Sequence, residues 1–135
     1  MTPAEALNES VITAPDYRPG LLRHIVLFQY LEATTPEQRQ EIKERFHALA
    51  ESERQGRRYV ASIESGVQHS PEGKHRDLEH GFIASFESEG DRNYYVGEPL
   101  ITNPANYDPA HHEFKRFVGQ YLSPTGVLVF DFSVR

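Results

Sequence analysis

No cysteine occurs among the 135 residues. That excludes a thiol nucleophile, an iron–sulfur or Cys–zinc site and any disulfide framework. Long apolar runs are missing too. Ile25-Val26-Leu27-Phe28 is strand-length, far short of the roughly 20 residues that span a bilayer. Basic residues are few and unclustered, 14 Lys and Arg against 20 Asp and Glu, for a net charge of −6. Neutralising phosphates takes clustered cations, so nucleic acid is not expected as a partner, nor is a membrane. Glu5 and Glu9 stand where a secretory leader would be basic and then apolar, so no signal peptide is expected. A chain this long buries roughly two thirds of its unfolded surface and needs no covalent or metal staple. The expectation is one mildly acidic, cytoplasmic domain.

Residues 1–21 (MTPAEALNESVITAPDYRPGL) are polar, hold three prolines and show no sustained period. They read as an N-terminal extension lying outside the core and disordered, since little apolar surface offsets the entropy of ordering. Tyr17 or Val11-Ile12 offer a means of docking. Residues 22–135 read as one domain.

Arg23 to Tyr30 is an apolar, β-branched and aromatic run of the kind found in buried strands. Thr35-Pro36-Glu37-Gln38 then combines a cap, a proline at the first helical position and a capping-box glutamine. Ile42, Phe46, Leu49 and Ala50 continue at helical spacing through about Glu53, and Gly56 ends the helix. Tyr59 to Val67 is a second strand, Gln68 to Glu79 a polar loop and His80 to Phe86 a third strand. Ser88 opens a short helix through Val96, closed by Gly97 and Pro99. Asp108-Pro109 caps a further helix whose apolar face is Phe114, Phe117, Val118, Tyr121 and Leu122. Thr125 to Val134 is the fourth strand.

The order is βαββαβ with its second helix broken in two. That predicts an α+β, ferredoxin-like protomer with a four-stranded antiparallel sheet and helices on one side. His24, Val26, Phe28 and Tyr30 share one face of the first strand, Ile25 and Leu27 the other. Both faces are apolar, so the uncovered one predicts a second copy of the chain, a homodimer.

Seven histidines are the main chemical resource. His47, His69 and His75 fall on loops or a charged helix face and read as solvated. His24 and His80 open apolar strands, either as rim residues bonded to backbone or as members of one pocket. His111 lies in the first turn behind Asp108-Pro109, where the helix dipole disfavours an imidazolium and suits a general base; His112 competes for the role. Asp131, inside Val127-Leu128-Val129-Phe130-Asp131-Phe132, should be at an edge, paired, or orienting a histidine. No helical His-x-x-x-His or Glu-x-x-His occurs, so no metal site is assigned, although carbonyls of a loop such as Glu51 to Arg57 need no motif to hold an ion. Phosphate-loop and Ser or Thr nucleophile signatures are missing as well.

Four stretches resemble the stress-responsive dimeric α/β-barrel (Dabb) family. They are His24-Ile25-Val26-Leu27-Phe28, His80-Gly81-Phe82-Ile83-Ala84-Ser85-Phe86-Glu87-Ser88, Asp108-Pro109-Ala110-His111-His112-Glu113-Phe114, and Val127 to Phe132. Coverage runs from about Leu22 to Val134. The resemblance implies protomers joined through their sheets into a dimeric α/β barrel, with a cavity between sheet and helices. The family includes a plant polyketide cyclase that performs an intramolecular aldol condensation without a cofactor. By motif its site falls on His24, His80, Tyr95 paired with His111, and Asp131. Two departures stand out. Asp108 replaces the first histidine of the helix motif, and about ten extra residues lie between Tyr95 and His111, so Tyr94 or Tyr107 compete with Tyr95.

These readings converge on a homodimer with a pocket for an unidentified small molecule, lined by Val26, Phe28, Phe46, Ile63 and Phe82. As an enzyme it would run cofactor-independent proton-transfer or cyclase-type chemistry on an aromatic or polyketide-like carbonyl compound. His111 would take the proton, Tyr95 would bond the enolate oxygen, and His24, His80 and Asp131 would orient the site. The alternative is a non-catalytic, stress-associated binding or assembly protein; a cofactor-free monooxygenase ranks third.

Overall fold

The computed structural model describes residues 2–135 and, of residues 4–7, the backbone alone, so the Glu5 side chain lies outside the described residues. The chain runs α1 (Pro3–Ile12), β1 (Pro19–Tyr30), α2 (Pro36–Ala48) and a 3-10 turn (Leu49–Glu51). A hairpin of β2 (Glu53–Arg54) and β3 (Arg57–Arg58) precedes β4 (Ser62–Val67), β5 (His80–Ser88) and α3 (Glu89–Val96). A 3-10 turn (Pro104–Asn106), α4 (Pro109–Gly119) and β6 (Leu122–Ser133) complete it. Four strands form one antiparallel sheet in the order β4-β5-β1-β6, the α+β ferredoxin-like arrangement expected.

Local chemistry sets the helix starts. Thr35 accepts from the Gln38 N–H while the Gln38 side chain accepts from the Thr35 N–H, a complete capping box. Ser88 accepts from the Asp91 N–H and Asp108 from the Ala110 N–H, capping α3 and α4. β1 and β5 turn His24, Val26, Phe28, His80, Phe82, Ala84 and Phe86 toward the helices, in register as His24↔Ala84, Val26↔Phe82 and Phe28↔His80. Phe46 of α2 lies flat on Phe82, ring centres 4.1 Å apart, with Phe28 and Phe114 tilted against it.

The opposite sheet face has no helix over it. It presents Ile25, Leu27, Ile83, Leu128, Phe130 and Phe132, with Phe130 60% exposed. The helices also stop short of β6, so Val127 and Val129, on the covered face, remain about half exposed.

Three local readings need correction. α2 ends at Ala48, a 3-10 turn continues it to Glu51, and from Glu53 the chain forms the β2–β3 hairpin instead of more helix. Gln55 and Gly56 both take positive φ, the turn type whose twist suits a two-residue hairpin. The second strand of the sheet begins at Ser62, while Tyr59 and Val60 are core residues outside the ladder. Residues 1–21 were expected to be disordered, yet α1 and the segment after it pack on the domain. Glu9 accepts from the Thr102 N–H and hydroxyl and the Asn103 N–H; Asn93 donates to the Ile12 carbonyl. Gly90 admits this segment, since a Cβ there would sit 1.7 Å from the Ala14 carbonyl oxygen. Polar bonds and the space left by a glycine hold the described part of the arm in place.

Candidate functional site

Two histidine-centred groups occupy opposite ends of the helix-covered face. At one end His24 and Asp131 lie directly across from each other on β1 and β6. His24 Nδ1–H donates to Asp131 Oδ1 at 2.7 Å, and Arg92 of α3 donates to Asp131 Oδ2 at 2.8 Å. Burial acts to raise the Asp131 carboxyl, but the bonds and charges of His24 and Arg92 outweigh it and hold it below its ordinary range. The alternation of β6 thus gives its lone acid an orienting task.

Tyr95 of α3 sits edge-on to His24, ring centres 5.8 Å apart, and His111 of α4 stacks on the Tyr95 ring at 3.8 Å. His111 Nδ1–H donates to the Tyr95 carbonyl, which leaves Nε2 as the atom with a lone pair. Burial and the neighbouring Lys115 ammonium push the His111 pKa down to about 3. Tyr95 is 1% exposed, and its hydroxyl is buried without a hydrogen-bond partner among the described residues. Burial and the Asp108 carboxylate raise its pKa, so the phenol keeps its proton. A buried hydroxyl with nothing to bond is costly in a folded protein and asks for an explanation.

The other end is built on His80, four strand positions from His24 by register, about 13 Å. His80 Nδ1 bonds the Tyr30 hydroxyl at 2.6 Å. Glu79 accepts from the Tyr30 N–H and from Arg39, whose guanidinium covers the Tyr30 ring. Between the two ends stand Phe28, Phe46, Phe82 and Phe114. So the structure brings together His24, Asp131, Tyr95 and His111 and places His80 elsewhere. Val26, Phe28, Phe46 and Phe82 belong to the closed core, with Ile63 partly buried against it. His47, expected to be solvated, bonds the Ser65 hydroxyl.

Arg92 was missed by sequence reasoning, and so was Tyr59, whose hydroxyl donates to Asp108 at 2.5 Å. Arg92 had a signal, since it lies one helical turn before Tyr95 and Val96. The competing tyrosines are sorted by position: Tyr94 packs on Arg54 and Tyr59, and Tyr107 stacks on His112. Surface clefts of about 670, 380 and 310 Å³ lie on the open sheet face, beside His80, and beneath the β2–β3 hairpin; His24, Tyr95 and His111 line none of these three. Among the described residues no three His, Asp or Glu side chains cluster as a metal set, and no helix is long and apolar enough to cross a membrane.

Solved structures share this architecture. A protein of Arabidopsis thaliana superposes with a TM-score of 0.68 at 23% identity, over 84% of this chain and 95% of that one. A hydroxynitrile lyase of Passiflora edulis gives 0.68 at 17% identity, over 87% and 95%. A dimeric ferredoxin-like protein of unknown function from Jannaschia gives 0.65 at 18%, over 85% and 100%. At these identities the likeness is one of fold. No curated protein matches the chain. Residues 22–134 match the model of the stress responsive A/B barrel domain, and the chain belongs to that Dabb family.

Proposed function

We propose that the protein is a homodimer that binds a small carbonyl compound, aromatic or polyketide-like, at the Tyr95 end and performs cofactor-independent proton transfer on it. The observation that carries the reading is the buried hydroxyl of Tyr95, unpartnered among the described residues, on a ring that contacts two imidazoles, each fixed through Nδ1. A ligand oxygen there would accept the bond the hydroxyl lacks. The α C–H bond would break with its proton passing to His24 Nε2, and its electron pair would form an enolate whose oxygen accepts from Tyr95. Asp131 faces His24 Nδ1 and stabilises the imidazolium so formed. That makes His24 the better proton acceptor. His111 has a lysine beside it in place of a carboxylate, and we assign it to holding Tyr95 in place. Family membership and the hydroxynitrile lyase fold neighbour are consistent with proton-transfer chemistry on this scaffold.

The homodimer reading rests on the bare apolar face and on dimeric fold neighbours. Sedimentation should give particles of twice 15.5 kDa. The chemistry is tested by α-proton exchange of acetophenone in D2O, followed by proton NMR. The wild type should accelerate exchange, and His24→Gln and Tyr95→Phe should return it to the buffer rate. Exchange at the buffer rate with the wild type contradicts the reading. A second reading, a non-catalytic binding or assembly protein, is favoured by the side chains of Phe46, Phe82, Phe86 and Tyr95 that fill the layer beneath the helices. It predicts saturable ketone binding without exchange.

A further inference from the structure

His80 is fixed at the end of the sheet away from Tyr95, and a cleft of about 380 Å³ opens beside it. Its walls include Pro36, Arg39 and Lys43 of α2, Val67 of β4, His80 of β5 and Glu79 just before it. We propose that this cleft is a second ligand site, one that takes a small monocarboxylic acid with an apolar tail.

The His80 donor is oriented by its bond to Tyr30. Burial raises the Tyr30 phenol, so it remains protonated and donates to His80 Nδ1, which puts the ring proton of His80 on Nε2. Both oxygens of Glu79 are engaged, one by the Tyr30 N–H and one by Arg39, so that carboxylate balances Arg39. Lys43 lies one helical turn after Arg39 on the same face of α2 and is exposed. Lysine and arginine therefore outnumber acids in the walls, two to one, within a chain whose net charge is −6.

A carboxylate fits that inventory. One ammonium and one imidazole N–H match a single negative charge with two acceptor oxygens. A phosphate dianion would ask for more cations, and no glycine-rich loop or uncapped helix start faces the cleft to supply them, since Thr35 caps α2. Pro36 and the exposed Val67 offer apolar surface for a tail. The stacked Phe46 and Phe82 rings close the way to Tyr95, so this site stands independently of the chemistry there.

Hexanoate is the probe, titrated into the full-length protein with NMR detection of the histidine rings and the Lys43 side chain. Saturable shifts at His80 and Lys43 are expected, with none at His24 or His111. Lys43→Gln, a change at an exposed position, should weaken binding about tenfold, the worth of one charge-assisted bond. Hexanol should not saturate. The proposal is overturned by hexanol binding as well as hexanoate, by unchanged affinity in Lys43→Gln, by shifts at His24 and His111 instead, or by no saturable shift at all.

Discussion

The two ends of the covered sheet face carry the same residue type on adjacent strands and make different chemistry of it. His24 is backed by a carboxylate that an arginine holds ionised, whereas His80 is backed by a phenol. Next to the first stands a buried tyrosine hydroxyl with no partner among the described residues; next to the second Glu79 is engaged through both oxygens, by Tyr30 and Arg39. A histidine's function is set by what its second nitrogen faces, and that is decided by strand register.

Acid should separate the ends most strongly. The His111 pKa, about 3 when folded against an ordinary 6.5, means that the unfolded chain binds the extra proton between those values. Stability should therefore fall as the pH drops from 6.5 toward 3, and below 3 the whole contribution is lost. Denaturant melts at pH 7 and pH 4 should show His111→Phe losing less over that interval than the wild type. His80→Phe should alter the slope less, because burial lowers the His80 pKa less severely than that of His111. Equal slopes for both variants would erase the distinction.

Next in size is the loss of a carboxylate. Asp131→Asn removes the negative charge and one of the two acceptor oxygens that serve His24 and Arg92, and should cost about 2 kcal/mol in urea unfolding. Glu79→Gln, at a more solvated pair with Arg39, should cost under about 1 kcal/mol.

The tyrosines should then respond with opposite signs. Tyr30→Phe strands His80 Nδ1 and should destabilise by about 1 kcal/mol. Tyr95→Phe removes a buried hydroxyl that bonds nothing and should stabilise by up to about 1 kcal/mol. The smallest effect lies off both ends: Glu9→Gln should speed hydrogen exchange at the Thr102 and Asn103 amides without shifting the core.

Much of this was legible in the residues because it is local. The capping box at Thr35, the Asp108-Pro109 start and the alternation of β1 each depend on a few neighbours along the chain. The likeness of family motifs carried the choice of Tyr95 and His111. What escaped is long-range. The docking of α1 and the segment after it depends on Gly90 making room and on Glu9 finding two amides some ninety positions away. Gly56 suits a helix stop and a hairpin turn equally well, and only the pairing of Arg54 with Arg57 decides between them. The parting of His80 from His24 follows from Phe28↔His80 register, which alternation alone does not reveal.

The most direct test pairs two readouts on Tyr95→Phe, its melting temperature and its acetophenone exchange. A site kept for a ligand at some cost in stability predicts a variant that melts higher than the wild type and exchanges at the buffer rate. A variant that melts lower, or that exchanges as fast as the wild type, would contradict it.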